Sequence, residues 1–283
     1  MIDLKEYNKN LQPTWCPGCG NFGIHLALKK ALSELDISPK DTFVSFDIGC
    51  NGNGADKINV NGFKGLHGRS IPLAVGVRLA NKKLTVVADI GDGGLLHEGL
   101  DHLVHAIRSN YDITILIHNN QNFALTTGQA TATTQENKKM YGLPDGRPER
   151  DINIAQLALS LDPTFVARGY SGDINQLTEI IKKAVNHKGC SIVEVMQYCP
   201  TYNPEASPMW FQEHISKIDR PYLTAEEASK EADLSQKIIT GVIFENTATP
   251  AFDEMLKNRK DMETELVDEV KQFDITNLLN EFK

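Results

Sequence analysis

"LTVVADIGDGGLLHEG" (residues 84–99) runs from an apolar stretch through Gly91-Asp92-Gly93 into a helical pattern, and the next apolar stretch, "ITILIHNNQNF" (113–123), contains paired asparagines. Short runs that are apolar at successive positions read as strands buried on both faces. Working outward, "TFVSFDIG" (42–49), "TFVARG" (164–169) and "SIVEVMQ" (191–197) have the same character. Helical patterns lie around 22–35, 70–81, 95–109, 151–161 and 173–187. This alternation predicts an α/β fold, a parallel sheet with helices on both faces. Ligands of such sheets sit beyond the carboxyl ends of the strands. Three unusual strand ends fall there: "DIGCNGNG", "DIGDGG" and "HNNQNFALTTG". After about residue 215 the pattern gives way to a linker, one candidate strand "KIITGVIF" and an acidic helical tail from 251. The expected division is therefore a site-bearing α/β domain over 1–215 and a C-terminal extension over 216–283.

Composition narrows the function. A chain of 283 residues can bury a full-sized core, and 41% hydrophobic with 23% charged residues is ordinary for a globular protein. The formal net charge of -8 argues against a phosphate-backbone binder, so nucleic acid is not an expected partner. The N-terminus "MIDLKEYNKNLQP" has no basic segment followed by an apolar run, and the most apolar stretch is broken by Arg78, Lys82 and Lys83. These features predict a cytoplasmic protein without a membrane span. Five cysteines in a chain this long do not suggest a disulfide framework, and metal or redox chemistry fits better.

The glycines around Asp92 leave backbone N–H groups free to face an anion while the carboxylate is fixed at a strand tip. Asn119 and Asn120 bring neutral amide oxygens to the next strand end. Magnesium suits such a set, because it takes few protein ligands and fills the rest from phosphate and water. The GDG and NN pair resembles the motif by which thiamine diphosphate enzymes hold the magnesium diphosphate of their cofactor. That resemblance implies Asp92, Asn120 and the carbonyl of Asn122 as metal ligands. "HEGLDH" (97–102) is not a zinc-protease helix: His97 and His102 are five residues apart, about 140° around a helix with 3.6 residues per turn. His97, Asp101 and His105 share a face and read as a solvated or subunit-facing stripe.

Cys16 and Cys19 form a CxxC in "TWCPGCGNFG", Cys50 ends "DIGC", and Cys199 lies in "QYCPTYN" after the fifth strand. Four thiols at one end of the sheet suit zinc or an iron-sulfur cluster, and spacing does not separate the two. Cys190 sits apart, at a helix-to-strand junction.

Together "WCPGCGNFG", "IGC", "LHGR", "GDG", "HNN", "LTTGQ" and "CPTYN", in this order over residues 14–203, resemble the β subunits of 2-oxoacid:ferredoxin oxidoreductases. The resemblance implies a 4Fe-4S cluster on Cys16, Cys19, Cys50 and Cys199. It implies thiamine diphosphate contacts from Ile48, Gly49, Cys50 and Asn51, from His67, from Gly91, Gly93 and Gly94, and from Ala124 and Leu125. His67 and Arg69 of "LHGR" are the candidate catalytic residues, with Arg69 a source of charge for a substrate carboxylate. The implied reaction is oxidative decarboxylation of a 2-oxoacid such as pyruvate, with coenzyme A accepting the acyl group and ferredoxin the electrons. An α subunit would supply the carboxyl group that activates the aminopyrimidine ring, since this chain has room for one such α/β domain. A non-oxidative thiamine decarboxylase subunit and a zinc-stabilised non-catalytic subunit are the alternatives.

Several positions depart from the family pattern. Gly94 replaces a second aspartate and Glu98 an isoleucine; Thr131 and Ala132 replace Ser-Pro; Asn53 stands where some relatives carry a lysine. These changes bear on substrate identity and leave the expected metal and cluster ligands intact.

Overall fold

A computed structural model describes residues 2–235, 237–259, 262, 264–269 and 274–282. In chain order its first half contains α1 (Asn21–Glu34), β1 (Thr42–Phe46), β2 (Asn61–Lys64), α2 (Ser70–Ala80), β3 (Thr85–Gly91), α3 (Leu100–Ser109) and β4 (Thr114–Asn119). A small hairpin, β5 (Asn122–Phe123) with β6 (Gln129–Ala130), follows, then α4 (Ile154–Leu159), β7 (Phe165–Tyr170), α5 (Ile174–Asn186) and β8 (Ser191–Met196). The C-terminal part adds α6 (Pro208–His214), β9 (Ile215–Lys217), α7 (Ala225–Glu231), β10 (Ile238–Glu245), α8 (Phe252–Met255) and α9 (Thr276–Asn280).

Eight strands make one sheet in the order β2-β1-β3-β4-β8-β7-β10-β9. The pairings from β2 through β7 are parallel, and β10 closes antiparallel on β7. Helices cover both faces, and the period-2 alternation of side chains decides which residue packs where. Val86, Ala88, Ile90, Ile115, Ile117 and Ile192 pack with Ile71, Leu103, Ile107 and Ile154 of the helices on one side. Val44, Val87, Leu116, Val193 and Val195 pack with Ile24, Leu28, Leu32, Leu177 and Ile181 of α1 and α5 on the other.

The expected central strands and helices are present, with instructive differences. The end of "TFVSFDIG" leaves the sheet at Phe46, so residues 47–49 belong to the turn. The helix expected at 95–109 is divided: a π-helical turn, Gly94–Glu98, precedes α3. Such wider turns often mark functional positions. β2 was not legible because "NGFK" carries no apolar alternation, being an exposed edge. The stretch expected as linker supplies β9 and α7, and β10 joins the main sheet. The expected acidic helical tail holds only the short helices α8 and α9 and a 3-10 turn, Leu266–Glu269, among the described residues; residues 260, 261, 263, 270–273 and 283 lie outside them.

Strand register positions the site. Phe46 pairs with Asp89, Gly91 with His118, and Asn119 with Met196. The turns after β1, β3, β4 and β8 therefore leave the sheet at one edge.

Candidate functional site

All residues expected to contact the cofactor or its magnesium line one cavity of about 670 Å³ including its solvent mouth. They are Ile48 through Asn51, His67, Gly91 through Gly94, Asn120, Asn122, Ala124 and Leu125. Asp92 is 2% exposed, and burial pushes its carboxyl up to about 6, against the pull of hydrogen bonds from Thr131 and Thr133. Both hydroxyls donate to Asp92 Oδ2, Thr131 Oγ1 at 2.7 Å and Thr133 Oγ1 at 2.5 Å, and so orient the carboxylate. The side chain of His97 holds the same loop, its Nε2 accepting from the Ala132 N–H at 3.1 Å. Asn120 is oriented by a local turn: its Oδ1 accepts from Asn122 N (3.0 Å), while Asn122 Nδ2 donates to the Asn120 carbonyl (2.7 Å). Asp92, Asn120 and Asn122 thus bring one carboxylate and two amide side chains to the wall of the same cavity.

Asn119 has a different task. Its Nδ2 donates to Glu194 Oε1 (2.7 Å), and Glu194 Oε2 accepts from Arg168 Nε (2.8 Å), an ion pair with side chains 1% and 0% exposed. Arg168 also donates to the Ala232 carbonyl and to Asn153 Oδ1, tying the C-terminal segment to the strands beneath the site. Beside it, His118 bridges Asn21 Oδ1 (2.8 Å) and Asp89 Oδ2 (3.0 Å), and Asn51 Nδ2 donates to Asp89 Oδ1 (2.9 Å). Two cavity-lining side chains, His118 and Asn51, are fixed by this buried network.

His67 lines the cavity, with Nδ1 at 2.9 Å from Glu98 Oε2, so the departure at Glu98 gives this ring a carboxylate partner. Arg69 does not line the cavity; its Nη1 donates to the Glu98 carbonyl. Gly68, at φ +70, allows this loop to press on the π-helical turn: a Cβ there would stand 2.5 Å from Glu98 Cβ. Asp47, which sequence reasoning missed, explains the departure at Gly94. A Cβ on Gly94 would lie 2.0 Å from Asp47 Oδ2, so the two positions cannot both carry the longer side chain in this arrangement. Burial pushes the Asp47 carboxyl up to about 6. Gly94→Asp alone is expected to destabilise the chain by about 1–3 kcal/mol through overpacking, and Asp47→Ser in the same chain to recover most of it. Urea unfolding measures this; a single variant as stable as the parent would contradict the account.

All five cysteines are free. Cys50 lines the cavity, and Trp15 Nε1 donates to its carbonyl at 2.6 Å. Burial first, then the neighbouring Cys19, Cys199 and Cys16, push the Cys50 thiol up to about 12, and Cys19 is raised by burial together with Cys199 and Cys16. The four thiols thus share one neighbourhood. Cys16 Sγ accepts from Thr201 Oγ1 (3.2 Å) and Cys19 Sγ from Gln197 Nε2 (3.6 Å). Among the described residues, no group of three or more His, Cys, Asp or Glu side chains is gathered as a site for one metal ion. Cys190 stands at the opposite end of β8, roughly 20 Å away at about 3.3 Å per residue, packed in the core. Thr133 and Gln197 went unrecognised in sequence, while Glu98 and Thr131 stood out only as departures from the family pattern, without the supporting contacts they make.

The sheet and its edge cavity define a class. Residues 47–195 match the family described as "Thiamine pyrophosphate enzyme, C-terminal TPP binding domain", and residues 199–261 match the C-terminal family of the pyruvate ferredoxin oxidoreductase beta subunit. The chain is 38% identical over 270 residues to the β subunit of 2-oxoacid:ferredoxin oxidoreductase 1 of Aeropyrum pernix, covering 90% of this chain and 85% of that one. It is 44% identical over 207 residues to the Saccharolobus solfataricus 2-oxoacid:ferredoxin oxidoreductase β subunit, with 72% of this chain and 68% of that one covered. A solved structure of the 2-oxoglutarate:ferredoxin oxidoreductase from Magnetococcus marinus, with 2-oxoglutarate, coenzyme A and succinyl-CoA bound, superposes with a TM-score of 0.87 at 27% identity, covering 100% of this chain and 96% of that one. The chain belongs to the β subunits of the 2-oxoacid:ferredoxin oxidoreductases. Among the described residues, no helix is long and apolar enough to cross a membrane.

Proposed function

We propose that this chain binds magnesium thiamine diphosphate and a 4Fe-4S cluster and, with an α subunit, converts a 2-oxoacid and coenzyme A to acyl-CoA and carbon dioxide, passing electrons to ferredoxin. The observation that carries this reading is Cys50, which lines the cavity holding Asp92, Asn120 and Asn122 while its thiol neighbours Cys16, Cys19 and Cys199. When bound, thiamine diphosphate supplies the carbanion chemistry of decarboxylation and the cluster the one-electron steps. Asp92, Asn120 and the Asn122 carbonyl would hold the magnesium, with Thr131 and Thr133 keeping the carboxylate in place. Ile48 through Asn51, His67, Gly91, Gly93, Gly94, Ala124 and Leu125 would surround the cofactor. Glu98 on Nδ1 leaves His67 Nε2 as the nitrogen free to serve the cavity. Arg69, held on the Glu98 carbonyl, would steady that loop and bring positive charge to the mouth. Cys16, Cys19, Cys50 and Cys199 would hold the cluster; its irons are bound by separate thiolates, which need not meet at one ion. Division of labour would follow the chain, with residues 1–215 carrying both sites while β10 extends the sheet and α7 packs on its core.

The cavity is open on one side. Leu125, in its wall, is 49% exposed, and Leu66, next to His67, is 76% exposed. An α subunit seated over this face would exclude water and complete the site. Alone, with cluster and cofactor reconstituted, the chain is expected to show less than about 1% of the viologen reduction it supports with its α subunit, a barrier difference of about 2.7 kcal/mol or more. Dependence on both 2-oxoacid and coenzyme A is part of the expected result. Comparable turnover by the lone chain would overturn the shared-site reading.

A further inference from the structure

We propose that Gln197 is the positioning residue that ties the cluster to the thiamine diphosphate cavity, its amide N–H on the Cys19 sulfur setting the cluster's reduction potential; this rests on the cluster reading above. Gln197 follows β8 and is 2% exposed. Its backbone N–H donates to the Asn119 carbonyl (2.9 Å), anchoring it to the strand that carries the asparagine pair. Its Nε2 stands 3.6 Å from Cys19 Sγ, and the residue also lines the cavity. No other side chain in the cavity wall donates a hydrogen bond to a sulfur of this group, among the described residues.

The orientation of the amide follows from chemistry. An iron-bound thiolate has no hydrogen and only accepts, so the amide must turn its NH2 to Cys19 and its oxygen away. Oε1 is buried without a partner among the described residues, an acceptor still to be satisfied. The other thiols are placed differently: the donor to Cys16 is Thr201, at the exposed side, and Cys199 faces the amide oxygen of Asn122 at 3.9 Å. An N–H donated to a cluster sulfur stabilises the reduced, more negative state, and a dry setting strengthens it. Gln197 therefore makes the cluster a better acceptor at the side where electrons leave the cavity.

The test is an anaerobic potentiometric titration of the reconstituted chain, followed by electron paramagnetic resonance of the reduced cluster, with iron and sulfide assayed on each sample. Gln197→Leu is expected to keep wild-type iron and shift the reduction equilibrium about tenfold towards the oxidised state, about 59 mV more negative for one electron. Gln197→Met, which keeps the length of the side chain and adds no charge but removes the donor, should shift the same way and serves where the leucine variant does not assemble. A full complement of iron at an unchanged potential in these variants would overturn the role of Gln197. A wild-type chain that takes up no iron overturns the cluster reading, and this role with it, and the iron assay tells the two results apart.

Discussion

Asp92→Ala is expected to weaken magnesium-dependent thiamine diphosphate binding by at least about 100-fold, or 2.7 kcal/mol, while iron content stays unchanged. Asp92 is the only carboxylate among the three proposed magnesium ligands, and its oxygen Oδ2 anchors Thr131 and Thr133. Removing it deletes the fixed anion and the shared acceptor of two buried hydroxyls, which then have, among the described residues, only each other and Thr134 Oγ1 to bond. The same carboxyl predicts a pH dependence. Burial raises Asp92 from the usual 3.8 to about 6 in the cofactor-free chain. A raised carboxyl stabilises the folded chain while it is protonated, and that contribution is lost as pH rises through about 6. Magnesium needs the ionised form, so cofactor affinity should fall as pH drops below about 6. Titration calorimetry across pH 5 to 8 reads both effects; tight binding by Asp92→Ala would remove the carboxylate from the metal site.

Cys50→Ala and Cys199→Ala are expected to lose the cluster and, in the complex with an α subunit, more than about 99% of turnover, equivalent to at least about 2.7 kcal/mol in the barrier. Cys190→Ala should retain full iron and activity. Cys190 lies in the helix-covered core at the start of β8, its backbone N–H held by Asn110 Oδ1 (2.8 Å), at the other end of the strand from Gln197 and the cavity that Cys50 lines. It behaves as a small apolar side chain. Loss of iron in Cys190→Ala with retention in Cys199→Ala would show the ligand set to be wrong.

How much of this was legible in the sequence depended on whether a feature is local. β3 and β4 stood out because both faces of each are buried and most of their positions are apolar. The turns that carry the proposed magnesium ligands were legible for the same reason: "GDG" and "NN" sit in short turns whose backbone needs are written in adjacent residues. β2 and β9 were not, since an exposed edge strand and a three-residue strand owe their conformation to neighbours distant in the chain. Nor was the reciprocal placement of Asp47 and Gly94, where a carboxylate missing from one strand end is met by one from another across the sheet edge. Asn119 misled in a simple way: paired with Asn120 in sequence, it is the last residue of β4 and its side chain reaches along the sheet face to Glu194 of the neighbouring strand β8, two positions from Ile117, the register partner of Glu194.

The most direct measurement is anaerobic purification of the chain with its α subunit, followed by an absorption spectrum and assay of iron, sulfide, zinc and thiamine. The account predicts, for each copy of this chain, about four iron, four sulfide and one thiamine diphosphate, with a brown chromophore that bleaches on addition of 2-oxoacid and coenzyme A. A colourless protein that holds thiamine without iron, or zinc without thiamine, would contradict it.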